Sequence, residues 1–169
     1  MDNVENEVLA RGNPNQVESE WSKPPMGWIK INCDGAYYEK SNSAASAAVA
    51  HNHEGIPLTG AAARLTVSSA LAAEACAVRR AATITLNEGY REVIIESDLN
   101  ALVHSLNQGS TATTREIEAI QQDIWHYVKD ITKVIFKHTR RSGNSAAHTL
   151  AMHSRQGTLP FDWLHSPPR

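Results

Sequence analysis

Three acidic residues stand where chemistry can be assembled: Asp34 in Asn32-Cys33-Asp34-Gly35-Ala36, Glu74 in Ala73-Glu74-Ala75-Cys76, and Asp98 in Ile95-Glu96-Ser97-Asp98-Leu99. Asp34 and Asp98 close runs with strand character, and Glu74 lies within a helical run. Carboxylates displayed where strands end and a helix crosses can gather hard divalent cations, which take oxygen ligands. Two such ions side by side stabilise the attacking and leaving oxygens of a phosphodiester. The pattern points to a metal-dependent nuclease. Each residue also has a structural alternative. Asp-Gly is common turn chemistry, Glu74 can be an exposed helix residue, and Asp98 can cap the helix that begins at Leu99. Glu96 shares a strand face with Asp98 and is expected not to be a ligand.

The elements that must hold these residues follow from periodicity. Trp28 to Cys33 alternates apolar and polar residues, the signature of a strand. The small-residue run Ala44–Ala50 and the segment Ile56–Ala63 are expected to be two more strands, with turn chemistry at His51-Asn52-His53-Glu54-Gly55 between them. Strands joined this tightly should be antiparallel. Leu71, Ala75, Val78, Ala82 and Leu86 then recur at helical spacing, and Gly89 supplies a stop. Glu92–Glu96 is a strand, and Leu99 to Leu106 a short helix. A longer helix opens near Thr113, where Thr113-x-x-Glu116 fits a capping box. Lys133–Lys137 is the last strand, and Asn144 to about Arg155 the last helix, with Asn144 as its N-cap. Helices between the later strands imply parallel crossovers. The expected fold is α/β: a five-stranded mixed sheet, three antiparallel strands followed by parallel additions, flanked by helices.

Composition bounds the rest. The chain has 169 residues, 41% of them hydrophobic, which suits one compact domain with a sizeable core. Residues 1–25 read as a polar linker or disordered segment and 26–169 as the domain. A net charge of −2 provides no global pull toward nucleic acid, so binding must come from a local basic patch. Cys33 and Cys76 read as reduced packing residues. No apolar run approaches the roughly 18 residues of a membrane helix, and the N-terminus has no signal-peptide pattern. An intracellular, membrane-free monomer is expected, its compartment left open.

Four motifs in order, Cys-Asp-Gly-Ala, Ala-Glu-Ala-Cys-Ala-Val, Glu-Ser-Asp-Leu-Asn-Ala-Leu-Val and Arg-x-x-Asn-x-x-Ala-His-x-Leu-Ala, resemble the ribonuclease H domain family. More narrowly, they resemble the plant ribonuclease H-like domains often found at the C-terminus of retrotransposon-like reverse transcriptase proteins, over about Trp28 to Pro168. The resemblance implies a ribonuclease H-like fold and an endonuclease cutting the RNA strand of RNA–DNA hybrids. It also implies two Mg2+ (or Mn2+) ions, with Asp34 bridging both, Glu74 and Asp98 holding one, and His148 in the ligand position of the other. The family carries Asp there, so His148 is a departure, and a weakened enzyme or a non-catalytic nucleic-acid- or protein-binding module is the alternative. His138 matches a loop histidine that assists proton transfer or product release in relatives. Lys137, Arg140 and Arg141 form a basic loop near the site, Asn144 matches a family Asn, and Arg79 and Arg80 lie on the Glu74 helix. All are candidates for phosphate contact. The stretch from Asn107 to Thr113 is too short for the basic helix some relatives use as a substrate handle. Substrate binding is therefore expected to be weaker or borrowed from an upstream domain.

Overall fold

The computed structural model describes residues 21–110, 114–160 and 163–164. Strand β1 (Ile29–Tyr38) is followed, after a short 3-10 turn, by β2 (Ser43–His51) and β3 (Pro57–Leu65). Helix α1 (Ala70–Glu88), strand β4 (Glu92–Ser97), helices α2 (Asn100–Gln108) and α3 (Arg115–Val128), strand β5 (Lys133–His138) and helix α4 (Ser145–Gln156) complete the order. The strands form one sheet in the order β3-β2-β1-β4-β5. The first three strands pair antiparallel, and β1–β4 and β4–β5 pair parallel. This is the mixed α/β sheet, three antiparallel strands followed by parallel additions, expected from the sequence.

Alternation sorts the side chains onto two faces. Ile31 and Cys33 of β1 and Val93 and Ile95 of β4 bury against α1, α2 and α3, meeting Val78, Leu102 and Ile117. Ala36 of β1 and Ala47 and Val49 of β2 pack on the opposite face against Leu150 and Ala151 of α4. The alanine run of β2 has low strand propensity. It forms a strand because β2 lies between two others with α1 and α4 against it, and small side chains let both helices approach.

Helix α1 opens where the Ser69 hydroxyl accepts the Ala72 N–H, and it ends at Gly89 in the left-handed region (φ 69°). Leu86, placed on its inner face by spacing, is exposed instead, and Ile84 and Thr85 take the inward positions. The Thr113 half of the expected capping box lies outside the described residues. Thr114 is the N-cap without a side-chain bond, and the Glu116 carboxylate accepts from the hydroxyls of Ser68 and Ser69. Two nearby hydroxyls thus draw Glu116 away from its own helix. Trp21 and Ser22, on the linker side of residue 25, are hydrogen-bonded to β1. Among the described residues, no helix is long and apolar enough to cross a membrane.

Candidate metal centre and phosphate-contact residues

Three elements converge at the C-terminal end of β4. Asp34 lies within β1, Asp98 directly follows β4, and Glu74 projects from α1. Parallel pairing of Asn32 with Glu96 sets β1 and β4 so that the residues two positions on, Asp34 and Asp98, share one end of the sheet. Helix α1 reaches this point because Gly35 has no side chain. A Cβ there would lie 2.3–2.5 Å from the backbone of Ala73 and Glu74. The sheet and the helix therefore touch backbone to backbone, and the Gly35 N–H donates to the Glu74 carboxylate.

One oxygen from each of Asp34, Glu74 and Asp98 can be chosen so that all three lie within 4.8 Å of one another. Asp34 and Glu74 are buried, at 1% and 9% exposure, so solvent cannot screen their charges. Burial, with the charges of Asp34 and Asp98 added, pushes the Glu74 carboxyl up to about 9. Burial also raises Asp34, and the hydrogen bond from His148 opposes that rise. Asp34 Oδ1 and Glu74 Oε2 are buried without a hydrogen-bond partner. Two buried carboxylate oxygens without partners are costly once ionised unless a cation or proton joins them. An all-oxygen donor set of this kind fits a hard divalent ion.

This electrostatic strain has a measurable consequence in the metal-free protein. The unfolded Glu74 loses its proton near 4.5, whereas the folded one keeps it to about 9. Between those pH values the native state binds more protons than the unfolded state. Stability present below the lower value is therefore lost as pH rises toward the upper one. In EDTA, Glu74→Gln should remove that loss. At pH 8 it is expected to add about 2 kcal/mol after allowing for local relaxation, or roughly 4–8 °C in Tm. At pH 4 it should add nothing. Thermal denaturation at the two pH values checks this, and equal Tm values for both proteins at pH 8 would refute it.

The remaining candidates divide by what they already touch. His148 Nδ1 lies 2.9 Å from Asp34 Oδ2, so the imidazole is bonded to a carboxylate of the cluster. His138, at the end of β5 rather than in a loop, places Nε2 3.2 Å from the Asp98 carbonyl. Asp98 does not cap α2. The preceding Ser97 hydroxyl accepts the Leu99 N–H, and the Asp98 carboxylate is left for the cluster and for Arg141 at 3.8 Å. Arg140 and Arg141 are exposed beside the site, and half-buried Lys137 lies 4.0 Å from Glu96. Arg79 and Arg80, on α1, each engage another element. Arg79 pairs with Asp123 at 2.9 Å, and Arg80 donates to the Ser46 hydroxyl. Asn144 occupies the N-cap position of α4 but makes no capping bond, because its side chain bonds across to β1.

Glu96 is engaged away from the cluster, by a 2.9 Å ion pair with Lys30. Lys30 and Asn32 are buried polar residues that the strand pattern did not single out as functional. A signal was present. Lys30, Asn32 and Asp34 fall on one face of a central strand, where a lysine needs a buried partner.

Residues 32–154 match the profile of the family described as reverse transcriptase-like. No curated protein matches the sequence. Among solved structures, the N-terminal RNase H domain of a Mycobacterium tuberculosis protein superposes with TM-score 0.71 at 14% identity, covering 78% of this chain and 95% of that one. RNase H1 from Halobacterium salinarum gives TM-score 0.70 at 16% identity, with 77% and 98% covered. An RNase H1 isolated from compost, solved in complex with an RNA/DNA hybrid, gives 0.69 at 20% identity, with 76% and 97% covered. At these identities the likeness concerns the fold.

Proposed function

The chain belongs to the reverse transcriptase-like family and has the ribonuclease H fold, and from that premise we propose that it is a ribonuclease H-type endonuclease acting on the RNA strand of RNA–DNA hybrids. The observation that carries this reading is the Asp34–Glu74–Asp98 cluster, with the buried Asp34 and Glu74 each leaving an oxygen unpartnered. Support comes also from the compost enzyme of the same fold, which was solved with an RNA/DNA hybrid.

Asp34, Glu74 and Asp98 would hold Mg2+ or Mn2+. Bound there, such a cation supplies Lewis-acid stabilisation of charge on phosphodiester oxygens and a more acidic water. The protein residues do the positioning. Asp34 is fixed on β1 and oriented by His148, and Glu74 is held by the Gly35 N–H. The Asp98 carboxylate is not spent on capping, since α2 has Leu99 at its N-cap with no side-chain cap bond. With Asp34 ionised, His148 Nδ1 carries the hydrogen and orients one Asp34 oxygen while the other faces the cluster. RNA selectivity would arise from contacts to 2′-hydroxyls, since both strands carry the same phosphates.

Arg141 lies 3.8 Å from Asp98, and it and the neighbouring Arg140 are exposed, suited to phosphate and not to base edges. Replacing both with Ala should weaken hybrid binding about equally across sequences. It should also reduce the slope of log K against log salt by about one to two. A salt titration by fluorescence anisotropy checks this, and an unchanged slope removes both residues from the interface.

A second reading, a binding module without hydrolysis, is favoured by one feature: His148 occupies a hydrogen bond to Asp34. A labelled hybrid incubated with Mg2+, Mn2+ or EDTA separates the two. Cleavage that needs the cation supports the enzyme, and binding without cleavage under every condition supports the module. His148→Asp serves as the internal comparison. If it alone confers Mg2+-dependent cleavage, the histidine is what silences the parent site.

A further inference from the structure

The three elements that carry Asp34, Asp98 and His148 are tied together one structural repeat upstream of each. Asn32 precedes Asp34 by two residues on β1, Glu96 precedes Asp98 by two on β4, and Asn144 precedes His148 by about one helical turn on α4. These three side chains meet. Asn32 Nδ2 donates to Glu96 Oε2 at 3.0 Å and to Asn144 Oδ1 at 3.1 Å, and Asn144 Nδ2 donates to the Cys33 carbonyl at 2.9 Å. All three residues are at least 97% buried, with exposures of 1%, 3% and 1%.

The set is closed by two more groups. Glu96 Oε1 pairs with Lys30 at 2.9 Å, and Lys30 also donates to the Ser22 carbonyl at 2.6 Å. The Trp21 indole N–H donates to Asn32 Oδ1 at 2.7 Å. The donors and acceptors of the Asn32 amide are thus matched to three separate elements. A fully satisfied buried network is rigid, because moving any member leaves a desolvated polar group unpaired.

We propose that Asn32, Glu96 and Asn144 are positioning residues that set the spacing of Asp34, Asp98 and His148 by cross-linking β1, β4 and α4 beneath the cluster. The metal-binding consequence rests on the cation reading given above; the spacing itself does not. Asn144 is the informative member. It is the side chain joining the start of α4 to both the backbone and a side chain of β1, and His148 lies one turn further along the same helix. Loss of its two bonds should let α4 shift against β1 and loosen the contact between His148 and Asp34. Side chains that orient metal ligands from outside the ligand set typically alter affinity by about 10–100-fold.

The test compares Asn144→Ala with Gln121→Ala in the otherwise intact chain. Gln121 is likewise fully buried and hydrogen-bonded, to Ser105, but it lies among α2 and α3 on the other face of the sheet. Two readouts are taken. The first is the imidazole 15N signal of His148 in EDTA, which reports the hydrogen bond to Asp34 without any cation. The second is Mn2+ affinity by titration, with Tm recorded for both variants. The expected result is a changed His148 signal and an Mn2+ affinity lowered about tenfold or more in Asn144→Ala, with neither change in Gln121→Ala. Asn144→Asp, which keeps the acceptor for Asn32 but loses the Nδ2 donor to the Cys33 carbonyl, should shift the His148 signal in the same direction. An unchanged His148 signal in Asn144→Ala overturns the proposal. So does the same signal change in Gln121→Ala, since it would mean that any loss of stability disturbs the site. A His148 signal that moves as expected in a protein that never binds Mn2+ upholds the positioning role and removes the cation reading instead.

Discussion

Asp34→Asn is expected to cut an RNA–DNA hybrid about a thousandfold more slowly than the parent chain, while its fold is unchanged. The substitution preserves the side-chain shape and still offers an oxygen to His148. It removes the negative charge from the carboxylate that joins β1 to the cluster. Preorganised charge at such a site contributes to the transition state more than to the folded state, and its loss falls on the rate. Stability should hold or rise slightly, because burial already disfavours the ionised Asp34. Cleavage of a labelled hybrid in Mg2+ or Mn2+, with circular dichroism and Tm on the same samples, gives both halves of the result. Wild-type cleavage by purified Asp34→Asn would place the chemistry elsewhere in the molecule.

Gly35→Ala is expected to damage stability and site together. The added methyl group would lie 2.3–2.5 Å from Ala73 C, Ala73 O and Glu74 N. These are backbone atoms of a helix packed on the sheet, so no side-chain rotation relieves the contact. Helix α1 must move off β1, and overpacking of this kind costs about 3 kcal/mol or more. For a chain of this size that corresponds to a fall of roughly 6–12 °C in Tm. The same movement carries Glu74 away from Asp34, so divalent-cation binding should fall with it. The two variants therefore differ in kind: Asp34→Asn loses cleavage at constant Tm, and Gly35→Ala loses both. A Gly35→Ala protein with the parent Tm would show that α1 does not rest on β1 at this point.

The order of strands and helices was legible because it is written in local periodicity. Alternation marked β1, spacing of three and four marked α1, and Gly89 ended it at a positive φ that a glycine accommodates without strain. The three carboxylates were legible because each sits on or directly after a strand or on a helix facing one, although β1 runs on to Tyr38 instead of closing at Asp34 as the alternation suggested, and the mixed topology brings those positions together. The pairings of polar side chains were not legible in the same way. Thr113-x-x-Glu116 satisfies a local capping pattern, yet Glu116 turns to Ser68 and Ser69, nearly fifty residues away in sequence. Asn144 stands at a helix start, where capping is the common role for Asn, yet it bonds to β1.

The frame and the identity of the carboxylates are thus written along single segments, since both depend on the chemistry of neighbouring residues. The packed fold alone sets the bond between His148 and Asp34 and the pair of Lys30 with Glu96. It also turns Arg79 and Arg80 to Asp123 and Ser46. Those choices rest on distances of about 3 Å between groups from separate elements. Under burial, each polar group bonds to whichever partner the packing of the sheet and helices brings within reach.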